Sequence, residues 1–141
     1  MSQAQTDAQV LEFELGDETY CVDIDYVAEI VDRDEVTPIP NAPTHVEGVM
    51  DLRGRTTSIV NPKELFSVDG TGDGKRIVVF DPDATDGNGA TGWLVDEVDQ
   101  VVRIADADVD DPPMAGDGGI RGIVKRDGAF VIWVSPEDVE E

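Results

Sequence analysis

Two side chains that could carry nucleophilic or metal chemistry, Cys21 and His45, occur once each in the 141 residues. A single cysteine cannot form a disulfide within the chain or supply the thiolate set of a structural zinc site. His45 would have to serve in any Ser-His-Asp or Cys-His arrangement, but Pro43-Thr44-His45-Val46 is typical of a loop and no nucleophile motif accompanies it. We therefore expect no catalytic residue and interpret Cys21 as a buried core side chain.

The 32 acidic residues offer oxygen ligands for a metal ion, but their spacing does not define a site. The stretch Asp81–Gly87 has Thr85 at the third alternate position, where a calcium-binding loop needs Asp or Asn, and it has no following Glu at the required place. The Gly-rich stretches lack the Lys-Ser/Thr ending of a phosphate-binding loop. We interpret the pairs Asp23/Asp25, Asp81/Asp83 and Asp110/Asp111 as solvated faces, and we expect no metal and no cofactor.

A more informative cluster is Gly48-Val49-Met50-Asp51-Leu52-Arg53-Gly54, which predicts a strand that runs into a turn carrying an arginine. Gly54 tolerates the positive φ that such a turn requires. An arginine held at a rigid turn presents its donors in a fixed fork that suits a carboxylate. The carboxylate could belong to a partner protein or to this chain, and the residues alone favour an intramolecular bridge.

The net charge is −22, from 32 acidic and 10 basic residues spread along the chain. This charge repels nucleic acid and anionic membrane surfaces, so we do not expect either as a partner. Dispersed acids with few lysines are what we expect of a cytosolic protein from an extreme halophile, because molar salt screens the self-repulsion. The alternative is an acidic protein that works at ordinary salt concentration.

The length predicts one compact domain. No apolar run approaches the roughly 18 residues of a membrane span, and residues 1–9 contain no basic or apolar segment typical of a signal peptide. We expect a soluble, unexported protein.

Alternation of apolar and polar residues predicts an all-β chain. Strands are expected at 11–15, 20–22, 27–31, 46–52, 56–60, 77–80, 93–95, 98–104, 120–124 and 129–134. Short helical turns are expected at 23–26, at 62–66 with Asn61 as N-cap, and at 135–139. Residues 67–75 are the expected linker, and residues 82–92 and 106–119 are expected to be loops.

The sequence also contains an internal repeat. A shift of 74 positions aligns residues 25–65 with 99–139 without a gap and gives ten identities in 41 positions, among them Gly48/Gly122 and Gly54/Gly128. These identities lie mostly at turn residues, so they predict a duplicated β unit able to curl into a small barrel. Coincidence among turn residues in an Asp- and Gly-rich chain is the alternative.

The order and spacing of several segments resemble the CheW-like family of chemotaxis coupling proteins. The segments are residues 10–24, 27–30, 48–54, 59–61 and 92–98. The resemblance implies two intertwined SH3-like five-stranded β barrels with short helical turns. It places a flexible N-terminus at 1–9 and a single domain at 10–141, with the first barrel at about 10–66, a linker at about 67–75 and the second barrel at about 76–139.

The resemblance also implies a non-enzymatic, cytoplasmic adaptor recruited to membrane receptor arrays. Its expected partners are the regulatory domain of the chemotaxis histidine kinase and the cytoplasmic tips of methyl-accepting receptors. Carried over by position, the receptor-binding residues are Ile24, Val27, Glu29, Arg53, Gly92 and Val98. Ile24, Val27 and Val98 could instead be core residues, and Gly48, Gly54 and Gly92 could be required only by backbone geometry.

We expect an apolar groove between the two barrels to receive one face of a receptor helix, with Arg53 and Glu29 at its rim. Asp51 stands where the family usually has Asn, and this carboxylate close to Arg53 could weaken its hold on an acidic partner. The alternative function is a scaffold for a kinase pathway outside chemotaxis, such as one controlling pili or surface sensing.

Overall fold

The computed structural model describes residues 8–66, 74–81, 90–105, 108–110, 120–126 and 128–135. These residues form eleven strands and one short helix. Their order is β1 Ala8–Leu15, β2 Glu18–Asp23, β3 Val27–Asp32, β4 Val46–Leu52, β5 Arg55–Val60, α1 Pro62–Leu65, β6 Arg76–Phe80, β7 Ala90–Val95, β8 Glu97–Ile104, β9 Val109–Asp110, β10 Ile120–Arg126 and β11 Ala129–Val134. A 3-10 turn, Ile24–Tyr26, joins β2 to β3.

Local sequence explains many of these boundaries. The β1–β2 hairpin turns at Gly16, whose φ is 63°. Helix α1 begins as expected. The side chain of its N-cap, Asn61, accepts a hydrogen bond from the backbone N–H of Lys63 at 3.0 Å, and Pro62 is the first residue of the helix. All four residues of the apolar run 77–80 are buried, as predicted for a strand covered on both faces.

The strands differ most from the sequence-based expectation at three places. Strand β1 begins at Ala8, inside the expected flexible N-terminus, because Ala8 and Gln9 pair with the end of β8. Strand β7 begins at Ala90 because it pairs with both β5 and β6. Strand β9 lies within the expected loop 106–119 and pairs with β10. Three expected segments lie wholly or mostly outside the described residues: 67–73 of the linker, 82–89 of the following loop and 136–139 of the predicted last turn.

The strands form two sheets that each draw on both halves of the chain. One sheet has six strands in the order β8-β1-β2-β11-β10-β9, and the other has five in the order β3-β6-β7-β5-β4. The β2–β11 and β5–β7 pairs are parallel, and a parallel pair needs strands that are distant in sequence. The sheets therefore divide the chain differently from the ranges 10–66 and 76–139 expected for the barrels.

The predicted duplication is visible in the strands. The bounds of β4 and β10 differ by 74 positions, and so do those of β5 and β11. Both hairpins contain a bulge, next to Gly48 in one and Gly122 in the other. A Cβ at Gly48 would collide with the carbonyl oxygen of Thr37, and one at Gly122 would lie 2.6 Å from Val109 Cγ1. In both copies, therefore, a neighbouring segment lies too close to the bulge to leave room for a Cβ.

Three groups of buried side chains hold the sheets together. The largest, here called the central core, takes residues from both sheets and contains Trp93, whose ring packs edge-on against Phe13, Phe66 and Phe80. A second group comes from the six-stranded sheet and a third from the five-stranded sheet. This arrangement is that of two barrels, each with its own interior, packed together through a shared core.

Candidate protein-binding site

The two charged residues singled out by the sequence, Arg53 and Glu29, contact each other. The arginine donates two hydrogen bonds, from Nη1 to Oε2 at 2.6 Å and from Nη2 to Oε1 at 2.7 Å. The fork-like match of guanidinium and carboxylate gives this pair a fixed orientation. The intramolecular bridge favoured by the residues alone is therefore present.

The turn between β4 and β5 positions the arginine. Arg53 has φ 53° and Gly54 has φ 80°, and positive φ at both central residues is the type I′ geometry that fits a two-residue hairpin. Glu29 lies on β3, at one edge of the five-stranded sheet, whereas β4 forms the other edge. The pair therefore bridges the two edges of this sheet across the mouth of its barrel.

The bridge fixes the charge of both side chains. The hydrogen bonds from Arg53 lower the pKa of Glu29 below its ordinary value, and the same contact raises the pKa of Arg53. Both groups stay ionised at neutral pH. The Arg53 side chain is 70% exposed and that of Glu29 is 29% exposed, so a carboxylate on another protein can reach the guanidinium.

A groove of about 230 Å³ lies beside the bridge. Its apolar lining comes from residues of β3, β4, β6 and β7, which are Ala28, Leu52, Val79, Phe80 and Ala90. All the residues that line this groove belong to the five-stranded sheet and its turn. Its place is therefore different from that of the expected groove between the barrels.

Three other candidates, Ile24, Val27 and Val98, are partly buried and pack against the central core. Val27 lies two residues before Glu29 on β3. Ile24 instead lines a separate groove together with Asp23 and Arg103. Part of each side chain packs against the core and the rest stays accessible. A core role and a receptor-binding role are therefore compatible for these residues.

The three candidate glycines have backbone and packing roles. Gly92 is buried in β7, and a Cβ there would lie 2.6 Å from Ile77 Cγ2. Gly48 has φ 146° at its bulge, and Gly54 completes the Arg53 turn. The structure therefore places Gly92 inside the five-stranded sheet, whereas it places Gly54 beside the groove.

A buried carboxylate that the sequence did not single out links three segments of the chain. Asp96 follows β7 and accepts hydrogen bonds from the backbone N–H of Gly16 at 2.6 Å, the backbone N–H of Gly74 at 2.8 Å and Lys63 Nζ at 3.0 Å. Burial by itself raises the pKa of Asp96, but these hydrogen bonds outweigh it and the pKa is lowered. No spacing or motif distinguishes this aspartate from the other acids.

Asp23, interpreted from the sequence as part of a solvated face, is also engaged. It accepts hydrogen bonds from Trp133 Nε1 at 2.7 Å and from Arg121 Nη1 at 3.0 Å. The Arg121 guanidinium lies 4.6 Å from the centre of the Trp133 ring, within range of a cation–π contact. This part of the acidic surface is therefore a packed contact between β2, β10 and β11.

Within the described residues, no group of three His, Cys, Asp or Glu side chains is placed to hold a metal ion. The longest helix in the same residues has four residues, and none is long and apolar enough to cross a membrane. The arrangement at Arg53 offers a charged fork beside an apolar groove, which suits the binding of a protein segment.

Comparison with known proteins identifies the family. Residues 9–141 match the model of the CheW-like domain. The chain is 27% identical to the chemotaxis protein CheW of Thermotoga maritima over 143 residues, covering 100% of this chain and 93% of that protein. It is 32% identical to the chemotaxis protein CheW of Treponema pallidum over 135 residues, covering 88% of this chain and 76% of the other.

A solved structure agrees with both matches. The crystal structure of the scaffolding protein TtCheW from Thermoanaerobacter tengcongensis superposes with a TM-score of 0.80 at 28% identity, covering 92% of this chain and 89% of that one. The two sheets, the bulged hairpins and the Arg53 turn thus occur in a chain that matches the family over nearly its whole length. The protein belongs to the CheW-like family of chemotaxis proteins.

Proposed function

We propose that this protein is a non-enzymatic chemotaxis adaptor that couples methyl-accepting receptors to a histidine kinase in the cytoplasm, at membrane receptor arrays. Family membership supports the adaptor role. The single observation that carries the proposal is the Arg53–Glu29 bridge at the apolar groove, because it combines a directional charged contact with a surface for apolar side chains.

In the proposed mechanism, one face of a receptor helix places an apolar side chain against Ala28 and Leu52 in the groove. Arg53 then contacts a carboxylate on the helix while Glu29 holds the guanidinium in place. A groove of about 230 Å³ admits only one or two side chains, so each contact is weak and many contacts in an array supply the avidity. Val27, on the same strand as Glu29, extends this surface in the proposal. Ile24, in its separate groove, and Val98, on the six-stranded sheet, are further proposed receptor contacts.

We also propose that the protein works at molar salt, as in a halophilic archaeon. The net charge of −22 supports this, because self-repulsion destabilises a compact acidic chain until salt screens it. Unfolding free energy measured from about 0.2 to 3 M KCl is expected to rise steadily. Equal stability at both ends of that range would instead indicate a protein of ordinary cytoplasm.

A charge exchange separates a structural role of Arg53 from a binding role. Arg53→Glu places two carboxylates together and is expected to weaken receptor or kinase binding by about tenfold. The double variant Arg53→Glu with Glu29→Arg restores the intramolecular bridge in reverse. If Arg53 contacts the partner, the double variant remains weak, whereas full recovery of binding would show that the bridge alone matters.

The matched control is Arg33→Glu, which makes the same charge change at an exposed position outside this groove. It is expected to bind like the wild type. Pull-down with the tagged protein in about 2 M KCl, followed by mass spectrometry, tests the function itself. Recovery of a histidine kinase with methyl-accepting receptors supports the adaptor role, whereas a kinase recovered with pilus proteins supports the pathway outside chemotaxis.

A further inference from the structure

One face of the β10–β11 hairpin presents an apolar and basic strip, here called the hairpin strip, which consists of Ile123, Lys125, Phe130 and Ile132. Ile123 pairs with Ile132 and Lys125 with Phe130 across the hairpin, so the four side chains lie on one face. Ile132 packs against the central core. Phe130 is 61% exposed, and Lys125 is exposed beside it. The strip therefore extends from the central core to the solvent.

A single exposed apolar side chain is common on protein surfaces and has no meaning by itself. Here the internal repeat provides a comparison, because the β4–β5 hairpin has the same register 74 positions earlier. The equivalent positions carry Val49 for Ile123, Asp51 for Lys125, Thr56 for Phe130 and Ser58 for Ile132.

The two copies of the hairpin thus share a backbone and differ in surface chemistry. In the five-stranded sheet, Asp51 and Thr56 line an acidic groove of about 470 Å³ together with Asp34 and Glu35. Because the polar version folds with the same bulge and register, the fold does not require Phe130 or Lys125 at the equivalent positions. Their presence therefore needs a reason other than folding.

We propose that the hairpin strip is a second protein contact, which binds an acidic segment of a partner that also carries an exposed apolar side chain. Charge complementarity selects this occupant, since the strip places one of the chain's 10 basic residues next to an exposed aromatic ring. Aromatic side chains that become buried at an interface are frequent centres of binding energy. Strand β2 lies along the other side of β11, where Thr19 pairs with Val131, so the segment approaches from the side of Lys125.

This contact is separate from the Arg53 groove, because the strip belongs to the six-stranded sheet and the groove to the five-stranded one. A substitution in one surface can therefore abolish its binding without changing the other surface. An adaptor with contacts on both barrels can join two partners at the same time, whereas one with a single groove holds one partner.

A synthetic helical peptide tests the proposal, with Leu at positions i, i+3, i+4 and i+7 and Glu elsewhere. It is titrated into isotope-labelled protein in about 2 M KCl while backbone amide shifts are recorded. We expect shifts centred on β10 and β11. The double variant Phe130→Thr with Lys125→Asp installs the chemistry of the other hairpin and is expected to weaken binding by at least about tenfold.

Three controls determine the outcome. A peptide with Lys in place of Glu is expected to leave the β10–β11 amides unshifted, and Arg53→Glu is expected to leave the β10–β11 shifts caused by the acidic peptide unchanged. Thermal unfolding checks that the double variant is folded. The proposal is overturned if the hairpin amides do not move at millimolar peptide, or if the double variant binds like the wild type. Loss of binding in Arg53→Glu would instead assign the peptide to the groove.

Discussion

Removal of the Asp96 carboxylate is expected to cost more stability than removal of an exposed aspartate. Asp96→Ala deletes three hydrogen bonds to a charged acceptor, from Gly16, Gly74 and Lys63. It also leaves the Lys63 ammonium, whose side chain is only 14% exposed, without this carboxylate. Hydrogen bonds to charged groups contribute about 1.5 to 3 kcal/mol each and are not additive, and breaking a buried pair costs about 3 to 5 kcal/mol.

Because the pair retains some contact with solvent, we take the lower end of these values and predict a loss of about 3 kcal/mol. For a chain of this size, that corresponds to a fall in melting temperature of about 10 °C. The assay is thermal and denaturant unfolding followed by near-ultraviolet circular dichroism in molar KCl, where Trp93 reports on the central core.

Asp51→Ala is the matched control, since it removes the same charge from an exposed position and is expected to change stability by less than about 0.5 kcal/mol. The control also corrects for the relief of self-repulsion in an acidic chain. A loss for Asp96→Ala that equals the control within error would refute the reasoning, because the three hydrogen bonds would then contribute nothing to folding.

Two further predictions concern a glycine and a carboxyl group. Gly92→Ala is expected to destabilise the fold by about 2 kcal/mol, because the new Cβ would lie 2.6 Å from Ile77 Cγ2 inside a filled barrel; urea unfolding measures this, and a neutral result would show that Ile77 has room to move. Burial, a hydrogen bond with Glu14 and the charges of Glu14 and Glu97 raise the pKa of Asp99 to about 6. Since the folded state then binds the proton more tightly than the unfolded chain, this group stabilises the fold at low pH and the effect is lost as pH rises through about 6. Asp99→Asn is expected to flatten that dependence between about pH 4 and 6.5, and unfolding curves that keep the wild-type slope would contradict the cause assigned to the shift.

Much of the local structure could be predicted from residue patterns. The run 77–80 is buried on both faces, the Asn61 cap is in place, and Arg53 and Gly54 form the turn that the sequence indicates. Each of these features depends on residues that are neighbours in the chain, so it leaves a local signature. The bulge glycines were found through the repeat, because neither copy of the hairpin has room for a Cβ at this position.

The candidate site was only partly predictable. Arg53 and Glu29 were both named, and they do lie together. Gly92 was also named, but it lies in the barrel interior, since a glycine in a strand looks the same in sequence whether it faces a ligand or a neighbouring side chain. The role of Asp96 could not be predicted, because its donors come from residues 16, 63 and 74.

The sequence by itself determined that this protein is a duplicated, acidic, all-β chain with an arginine at a rigid turn. Periodicity, turn residues and charge are properties of neighbouring positions and of composition, so they can be read without coordinates. Only the tertiary structure decided which strands pair, and therefore that hairpins from opposite halves share a sheet. Parallel pairs such as β2–β11 join residues more than a hundred positions apart, and no local pattern specifies such a partner. The same long-range pairing places the Arg53 groove within one sheet and the hairpin strip on the other, which gives the two barrels different surfaces.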